Sequence, residues 1–267
     1  MSSGDVLRPG FVQNLFRLDG KIALIMGGRG ALAEVMAATL ADLGCDIALA
    51  SRRVDDCGEI AARVRDRFKR RAIALRCDAS HEEEIETTIA EVGSQFGALD
   101  VLINNAGASW WGLPQDIPLS GWQKVVDVNL TGTFLSSRHA ARHMIRRGAG
   151  VIINIASVGA FLSYTPEAGQ VVPYTTTKAA IVHLTQDLAA QWASHGIRVN
   201  AIAPGSVRTG MTETLKDDVR EGLLSRILLR RFAEPAELAG VVALLASDAG
   251  SFITGHTILV DGGQAIG

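Results

Sequence analysis

Short runs of uninterrupted apolar residues alternate along this chain with longer stretches whose apolar residues recur every three to four positions. The runs are KIALIM from Lys21, CDIALAS from Cys45, RAIALRCD from Arg71, DVLINNAG from Asp100, GVIINIAS from Gly150, RVNAIAPG from Arg198 and HTILVDGG from His256. Continuous apolarity of this kind suits strands covered on both faces, whereas a half-exposed strand would alternate apolar and polar residues. The stretches between them read as amphipathic helices. In the first, Leu32, Met36, Leu40 and Leu43 share one helical face. Seven strands separated by helices predict βαβ units with right-handed crossovers. The expected fold is therefore α/β: a single doubly wound, Rossmann-type domain whose seven-stranded, mostly parallel sheet carries helices on both faces. Residues 1–17 fall outside the alternation and read as a loose N-terminal arm, leaving 18–267 as the one folded domain. Positions 206–231 follow the sixth strand with no strand pattern of their own and are expected to form a mobile helical flap.

Composition narrows the function classes. A chain of 267 residues, 48% hydrophobic, fills one α/β domain. Its 26 basic and 28 acidic side chains leave a net charge of −2, which gives no reason to expect a nucleic-acid partner. The basic run from Arg63 to Arg71 is interrupted by Asp66 and reads as an exposed helix end whose cations suit the helix dipole. Three cysteines (Cys45, Cys57, Cys77) without a CxxC pair argue for a reducing compartment, and no apolar run reaches membrane-spanning length. A cytoplasmic protein without membrane partners is expected. His139 and His143 have the i, i+4 spacing of a metal pair but no third ligand in sequence, so no metal site is expected and the helix face is read as solvated.

The first strand runs into MGGRGALAE, a glycine-rich turn opening a helix. Such a turn lets the backbone approach a pyrophosphate, and the helix N-terminus offers free N–H groups and a positive dipole end. The second strand discriminates between cofactors. A carboxylate at its end would hold the ribose 2′-hydroxyl of NAD. Here the strand ends Ala50-Ser51-Arg52-Arg53, a hydroxyl and two guanidiniums that suit a 2′-phosphate. One charge-assisted hydrogen bond of about 1.5–3 kcal/mol corresponds to roughly a ten- to hundredfold preference. NADP is the expected cofactor, with NAD the alternative.

Further blocks carry a family resemblance. Asn104-Asn105-Ala106-Gly107 closes the fourth strand, Asn129 lies in DVNLTG, Ser157 in IASVG, Tyr174-Thr175-Thr176-Thr177-Lys178 opens a helix, and Pro204-Gly205 ends the sixth strand. Together with the glycine turn they resemble the classical short-chain dehydrogenase/reductase family over Lys21 to Gly263. The resemblance implies hydride transfer between a nicotinamide cofactor and a ketone/secondary-alcohol pair, with Asn129, Ser157, Tyr174 and Lys178 as the catalytic set. Ser157 would bond the carbonyl oxygen, Lys178 would also hold the nicotinamide ribose, and Asn129 would organise a proton relay. Cofactor contacts would come from Gly27, Arg29, Gly30 and Leu32, then from Ser51, Arg52 and Arg53. Asp78 and Ala79 would meet the adenine side, and Asn105, Ala106 and Gly107 the adenosine–ribose channel. Pro204, Gly205, Val207 and Thr209 would flank the nicotinamide. A homo-oligomer, commonly a tetramer with the Tyr174 helix and last strand in interfaces, is also implied.

The spacing itself has a chemical reason. Tyr174 and Lys178 lie four apart on one helical face, so the ammonium reaches the space beside the phenol and favours its anion. That tunes a phenol of ordinary pKa near 10 toward proton transfer to a developing alkoxide. The chain departs from the family at Ala31 and Ala33, where glycines are usual, at Met26, where Thr is usual, and in the long Ser157–Tyr174 segment. Ser163 in that segment is a fallback for the serine role. Tyr164, Glu167 and Gln170 there are expected to shape the substrate pocket, and the polar Glu167 and Gln170 point to a small-molecule substrate such as a polyol, sugar or sugar acid. Trp110 and Trp111 keep a 3-oxoacyl thioester or cyclic ketone open, and a non-catalytic dinucleotide-binding regulator is the alternative from another class.

Overall fold

The structure, a computed structural model, describes residues 8–165, 170–209 and 217–267. Seven strands form one sheet: β1 (Ile22–Met26), β2 (Asp46–Ser51), β3 (Ala72–Arg76), β4 (Val101–Asn104), β5 (Gly150–Ile155), β6 (Ile197–Pro204) and β7 (Thr257–Val260). Their order is β3-β2-β1-β4-β5-β6-β7, and every pairing is parallel, from Ile22↔Asp46 at one side to Pro204↔Val260 at the other. The Rossmann-type domain is as expected, and among the described residues every pairing between its strands is parallel.

Apolar side chains on both sides of each strand explain the continuous runs. In β1, Ala23 and Ile25 enter one core while Ile22, Leu24 and Met26 enter the other. The first core is closed by α2 (Gly30–Asp42), α3 (Val54–Phe68) and the late helix Ala239–Ala246. The second is closed by α4 (Glu82–Phe96), α6 (Gly132–Arg147) and α7 (Val172–Trp192). Met36 and Leu40 are fully buried in the first core, with Leu32 and Leu43 packed against its rim. Strand order reverses between β1 and β4, which opens a crevice at their carboxyl ends, where open α/β sheets bind ligands.

Three local features complete the frame. Before the sheet, a short helix α1 (Phe11–Leu15) leads to buried Leu18, whose N–H donates to Leu43 O at 2.7 Å; positions 1–7 of the expected arm lie outside the described residues. Helix α5 (Leu119–Val126) runs into α6 through a single π-helical turn, Asp127–Thr131. In the expected flap, positions 210–216 lie outside the described residues, and the rest includes α8 (Asp217–Arg226). The end of α8 is fastened by buried Ile227 and by Leu229 N–H donating to Gly262 O at 3.1 Å. The late helix Ala239–Ala246 is α9.

The His139–His143 face differs from its sequence expectation. His139 is buried, with Nε2 3.1 Å from Glu82 Oε1 of α4, and Arg138 bonds the same carboxylate. The helix is therefore packed there, not solvated, because α4 brings an acidic first turn against it. His143 instead contacts Arg146 at 3.1 Å. Among the described residues no group of three or more His, Cys, Asp or Glu could hold a metal ion, and no helix is long and apolar enough to cross a membrane.

Candidate active site

The glycine turn after β1 is shaped by its neighbours. Gly27 adopts φ 77°, and a Cβ there would lie 2.5 Å from the Ala106 backbone nitrogen. A Cβ on Gly28 would lie 2.9 Å from the Leu49 and Ala50 backbone of β2. These two glycines let the turn nest between β2 and the loop after β4, where Asn105 Nδ2 donates to Gly27 O at 2.8 Å. Close approach is not needed at the departing positions: Ala33 packs fully buried in the first core and Ala31 is half-buried in the first turn of α2. Arg29 is the N-cap of α2 and no side chain caps the helix, so the amides of Gly30, Ala31 and Leu32 have neither helical acceptor nor side-chain partner of that kind. Gly30 itself, at φ 81°, has open space around its α-carbon. An uncapped helix start over a turn that tolerates no Cβ fits a dinucleotide pyrophosphate.

At the end of β2 the structure corrects one reading. Sequence places no carboxylate there, but α3 brings Asp56 to the spot from its first turn. Arg29 Nη1 donates to Asp56 Oδ2 at 3.0 Å and Arg53 Nε lies 3.3 Å from the same oxygen. Arg52 leans on Asp78 at 3.9 Å. Ser51 is buried and turned inward, its Oγ donating to Arg53 O at 2.8 Å and lying 3.1 Å from Cys57 Sγ. Asp78 is first of all a turn residue, accepting from Ser80 N at 3.0 Å and Ser80 Oγ at 2.7 Å. Burial pushes its carboxyl up, but the two Ser80 bonds and Arg52 outweigh this and hold it below the usual range. Ala79 is buried against the start of α6, where a Cβ on Gly132 would strike its carbonyl.

The four residues of the expected catalytic set converge at the carboxyl ends of β4 and β5. The π-turn points Asn129, fully buried, back toward the sheet. Its Oδ1 accepts from Ala108 N at 2.7 Å, and its Nδ2 donates to Ala108 O and to Thr177 Oγ1, both at 3.0 Å. Thr177 in turn donates to Tyr174 O at 2.8 Å, which locks the first turn of α7. Lys178 is buried and donates from Nζ to Ile155 O at 2.6 Å. A Cβ on Gly107 would lie 3.9 Å from Asn129 Oδ1 and 4.0 Å from Lys178 Nζ, so Gly107 faces both. Ser157 Oγ accepts from Gly159 N at 3.1 Å and lies beside Tyr174, whose phenol it favours in the ionised form; Ser163 is exposed.

The electrostatics also differ from the sequence reading. Burial pushes the Tyr174 phenol above its ordinary value, only partly offset by Ser157. The Lys178 ammonium, 5.6 Å from the Tyr174 ring centroid, is lowered by burial to about 8. Its hydrogen bond to the Ile155 carbonyl fixes the ammonium beside the Tyr174 ring.

Around this centre, Pro204 ends β6 buried, and Gly205 sits where a Cβ would lie 2.7 Å from Asp261 Cα. Val207 bridges to Ala233, and Thr209 borders the positions that are not described. Trp110 is pinned on Gly121, where a Cβ would meet its indole at 2.5 Å, whereas Trp111 is exposed. Gln170 contributes its carbonyl to Gly112 N at 2.9 Å; Glu167 lies outside the described residues. Tyr164 is half-buried beside Gly159. Burial and the neighbouring Tyr174 push its phenol up, and the Arg226 guanidinium at the end of α8 pulls it down. Sequence reasoning missed Asp56, Thr177 and Arg226. Only Asp56 left a signal, as an acid in the first turn of a helix.

A parallel sheet that carries this glycine turn beside a Ser–Tyr–Lys cluster defines a nicotinamide-dependent oxidoreductase, and the chain belongs to the classical short-chain dehydrogenase/reductase family. It is an NAD(P)-dependent enzyme acting on carbonyl and alcohol groups. A family model described as enoyl-(acyl carrier protein) reductase matches residues 28–265. The chain is 37% identical to a 3-oxoacyl-[acyl-carrier-protein] reductase, FabG, of Staphylococcus aureus, over 91% of this chain and 98% of that one. It is 36% identical to a 2-dehydro-3-deoxy-D-gluconate 5-dehydrogenase of Bacillus subtilis, over 95% and 98%. The crystal structure of a gluconate 5-dehydrogenase from Burkholderia cenocepacia in complex with NADP and tartrate superposes with a TM-score of 0.88 at 34% identity, covering 96% of this chain and 99% of that one.

Proposed function

We propose that this enzyme interconverts a ketone and a secondary alcohol with Tyr174 as general acid/base and NADP(H) as its preferred cofactor. The carrying observation is the meeting of Ser157 and Tyr174 at the carboxyl end of β5, with buried Lys178 Nζ 5.6 Å from the Tyr174 ring. When bound, the nicotinamide supplies or accepts the hydride. Gly27, Gly30 and the amides at the start of α2 would hold its pyrophosphate, Arg52 with Arg29 and Arg53 its 2′-phosphate, and Pro204, Gly205, Val207 and Thr209 would border the nicotinamide. Ser157 donates to the substrate oxygen. Tyr174, kept protonated by burial, delivers its proton to that oxygen as negative charge develops there. Lys178 then stabilises the phenolate, and Asn129 holds the Gly107–Ala108 backbone against α7 so that phenol and ammonium stay in register.

For substrate, we favour a polyol, sugar or sugar acid. The Tyr164 phenol near Tyr174, and the Arg226 guanidinium near Tyr164, offer polar contacts, and two of the relatives named above are by name dehydrogenases of gluconate-type compounds. Positions 206–231 would cover this substrate. A homotetramer is also proposed, because the edge strand β7 and its surroundings expose Leu259, Phe252 and Ile266; light scattering on the purified protein tests it. Three unpaired cysteines, held as thiols by burial, support a cytoplasmic setting.

The test is a titration with NADPH and separately NADH by nicotinamide fluorescence, followed by a substrate panel with the better cofactor. Preference for NADPH and turnover of polyols or sugar acids support the reading. Preference for NADH overturns the cofactor assignment. Turnover confined to 3-oxoacyl thioesters or cyclic ketones overturns the substrate class.

A further inference from the structure

We infer that Asp56 is a specificity-determining residue that competes with the cofactor's 2′-phosphate for two arginines, and so weakens the discrimination between phosphorylated and unphosphorylated adenosine ribose. This rests on the proposed reading of the Ser51–Arg53 segment as a 2′-phosphate site. Arg29 comes from the glycine turn and Arg53 from the N-cap of α3, yet both reach the same carboxylate oxygen, at 3.0 and 3.3 Å. A carboxylate and a phosphate monoester recruit guanidiniums through the same charge-assisted bonds. A phosphate engaging Arg29 and Arg53 must therefore displace Asp56 or share donors with a like charge. Arg52 is differently placed. Its contact with Asp78 is long, 3.9 Å, and the other Asp78 oxygen is taken up by the two Ser80 bonds, so Arg52 can turn to a new anion at little cost.

Charge counting gives the direction. Three cations, Arg29, Arg52 and Arg53, face two carboxylates, Asp56 and Asp78; removing the Asp56 charge raises the local balance from +1 to +2. A carboxylate at this spot also suits a ribose hydroxyl, so Asp56 favours the unphosphorylated ribose while it opposes the phosphorylated one. The side chains involved are 41–65% exposed, so the effect is moderate and screened by salt.

The experiment is calorimetric titration of the full-length protein with 2′,5′-ADP and with 5′-ADP, for the wild type, Asp56→Asn and Asp56→Ala. The control is Asp66→Asn, which removes one charge from the far part of α3, where Asp66 pairs with Lys69 at 3.7 Å. Both Asp56 variants should bind 2′,5′-ADP about three- to tenfold more tightly than wild type, with 5′-ADP unchanged or weaker and a steeper salt dependence. Asp66→Asn should move neither. An unchanged ratio of the two affinities, or weaker 2′,5′-ADP binding, overturns the inference; the latter would mean that Asp56 positions the arginines instead of competing for them. An equal shift in the control overturns it as well. Failure of the underlying reading is seen separately, in a wild type that binds 5′-ADP as tightly as 2′,5′-ADP.

Discussion

The two ends of the candidate active site are built on opposite physical terms. At the catalytic end, Asn129, Thr177 and Lys178 are buried, and their polar atoms are bonded to the backbone or side chain of another element. At the proposed adenosine end, Arg29, Arg52 and Arg53 are exposed and Asp56 is half-buried, and among the described residues they pair with one another and with Asp78. A buried polar group stripped of its partner is left with its own desolvation cost unmet, about 1–3 kcal/mol, whereas an exposed ion pair contributes about 0–1 kcal/mol. The catalytic geometry is therefore rigid and intolerant of substitution. The charges proposed to discriminate between cofactors can be re-routed without touching the fold.

The contrast can be broken or sharpened by substitution. The largest effect is expected for Tyr174→Phe, which should lower kcat by about 10²–10⁴-fold with cofactor binding retained; turnover near wild type would remove Tyr174 from the proton-transfer role. Next, Asn129→Ala leaves both Ala108 backbone groups without their partner and should destabilise the fold by about 2–4 kcal/mol, read by urea unfolding.

Lys178→Met should abolish turnover yet gain about 1–2 kcal/mol at pH 7. Burial lowers the ammonium from 10.5 to about 8, so protonating it in the folded state costs stability below pH 8, and losing the bond to Ile155 O offsets part of the gain. The unfolded chain binds more protons between about pH 8 and 10.5, so wild-type stability should rise with pH across that window, and the variant should lack this slope. For the same reason kcat/KM for ketone reduction should fall as pH rises through about 8, when Lys178 loses its charge. The smallest effect is expected at the exposed end. Arg52→Ala should weaken NADPH binding about tenfold while shifting unfolding by less than about 0.5 kcal/mol. A large loss of stability there would erase the contrast between the two ends.

The fold was legible because the five central strands are covered on both faces and so read as apolar runs; KIALIM from Lys21 holds β1 at Ile22–Met26, and GVIINIAS from Gly150 holds β5 at Gly150–Ile155. The site was legible where its parts are close in sequence, as in Tyr174 and Lys178 on one turn of α7 or Gly27 and Gly28 in one turn. It was not legible where distant segments meet. Asn129 and Thr177, 48 positions apart, are joined because a π-helical turn rotates one toward the other, and that turn has no compositional mark. His139 looked solvated because Glu82, 57 positions away, cannot be paired with it by periodicity.

By itself, then, the sequence determined the order of strands and helices, the glycine turn, and the residue types available for proton transfer and phosphate binding. Those follow from local periodicity and side-chain chemistry, which each segment carries alone. Only the tertiary structure decided that Lys178 donates to Ile155, that Ser157 rather than Ser163 meets Tyr174, and that Asp56 stands between Arg29 and Arg53. Such pairings depend on which carboxyl ends lie side by side once the sheet has formed, and on how much water burial then removes from each charge.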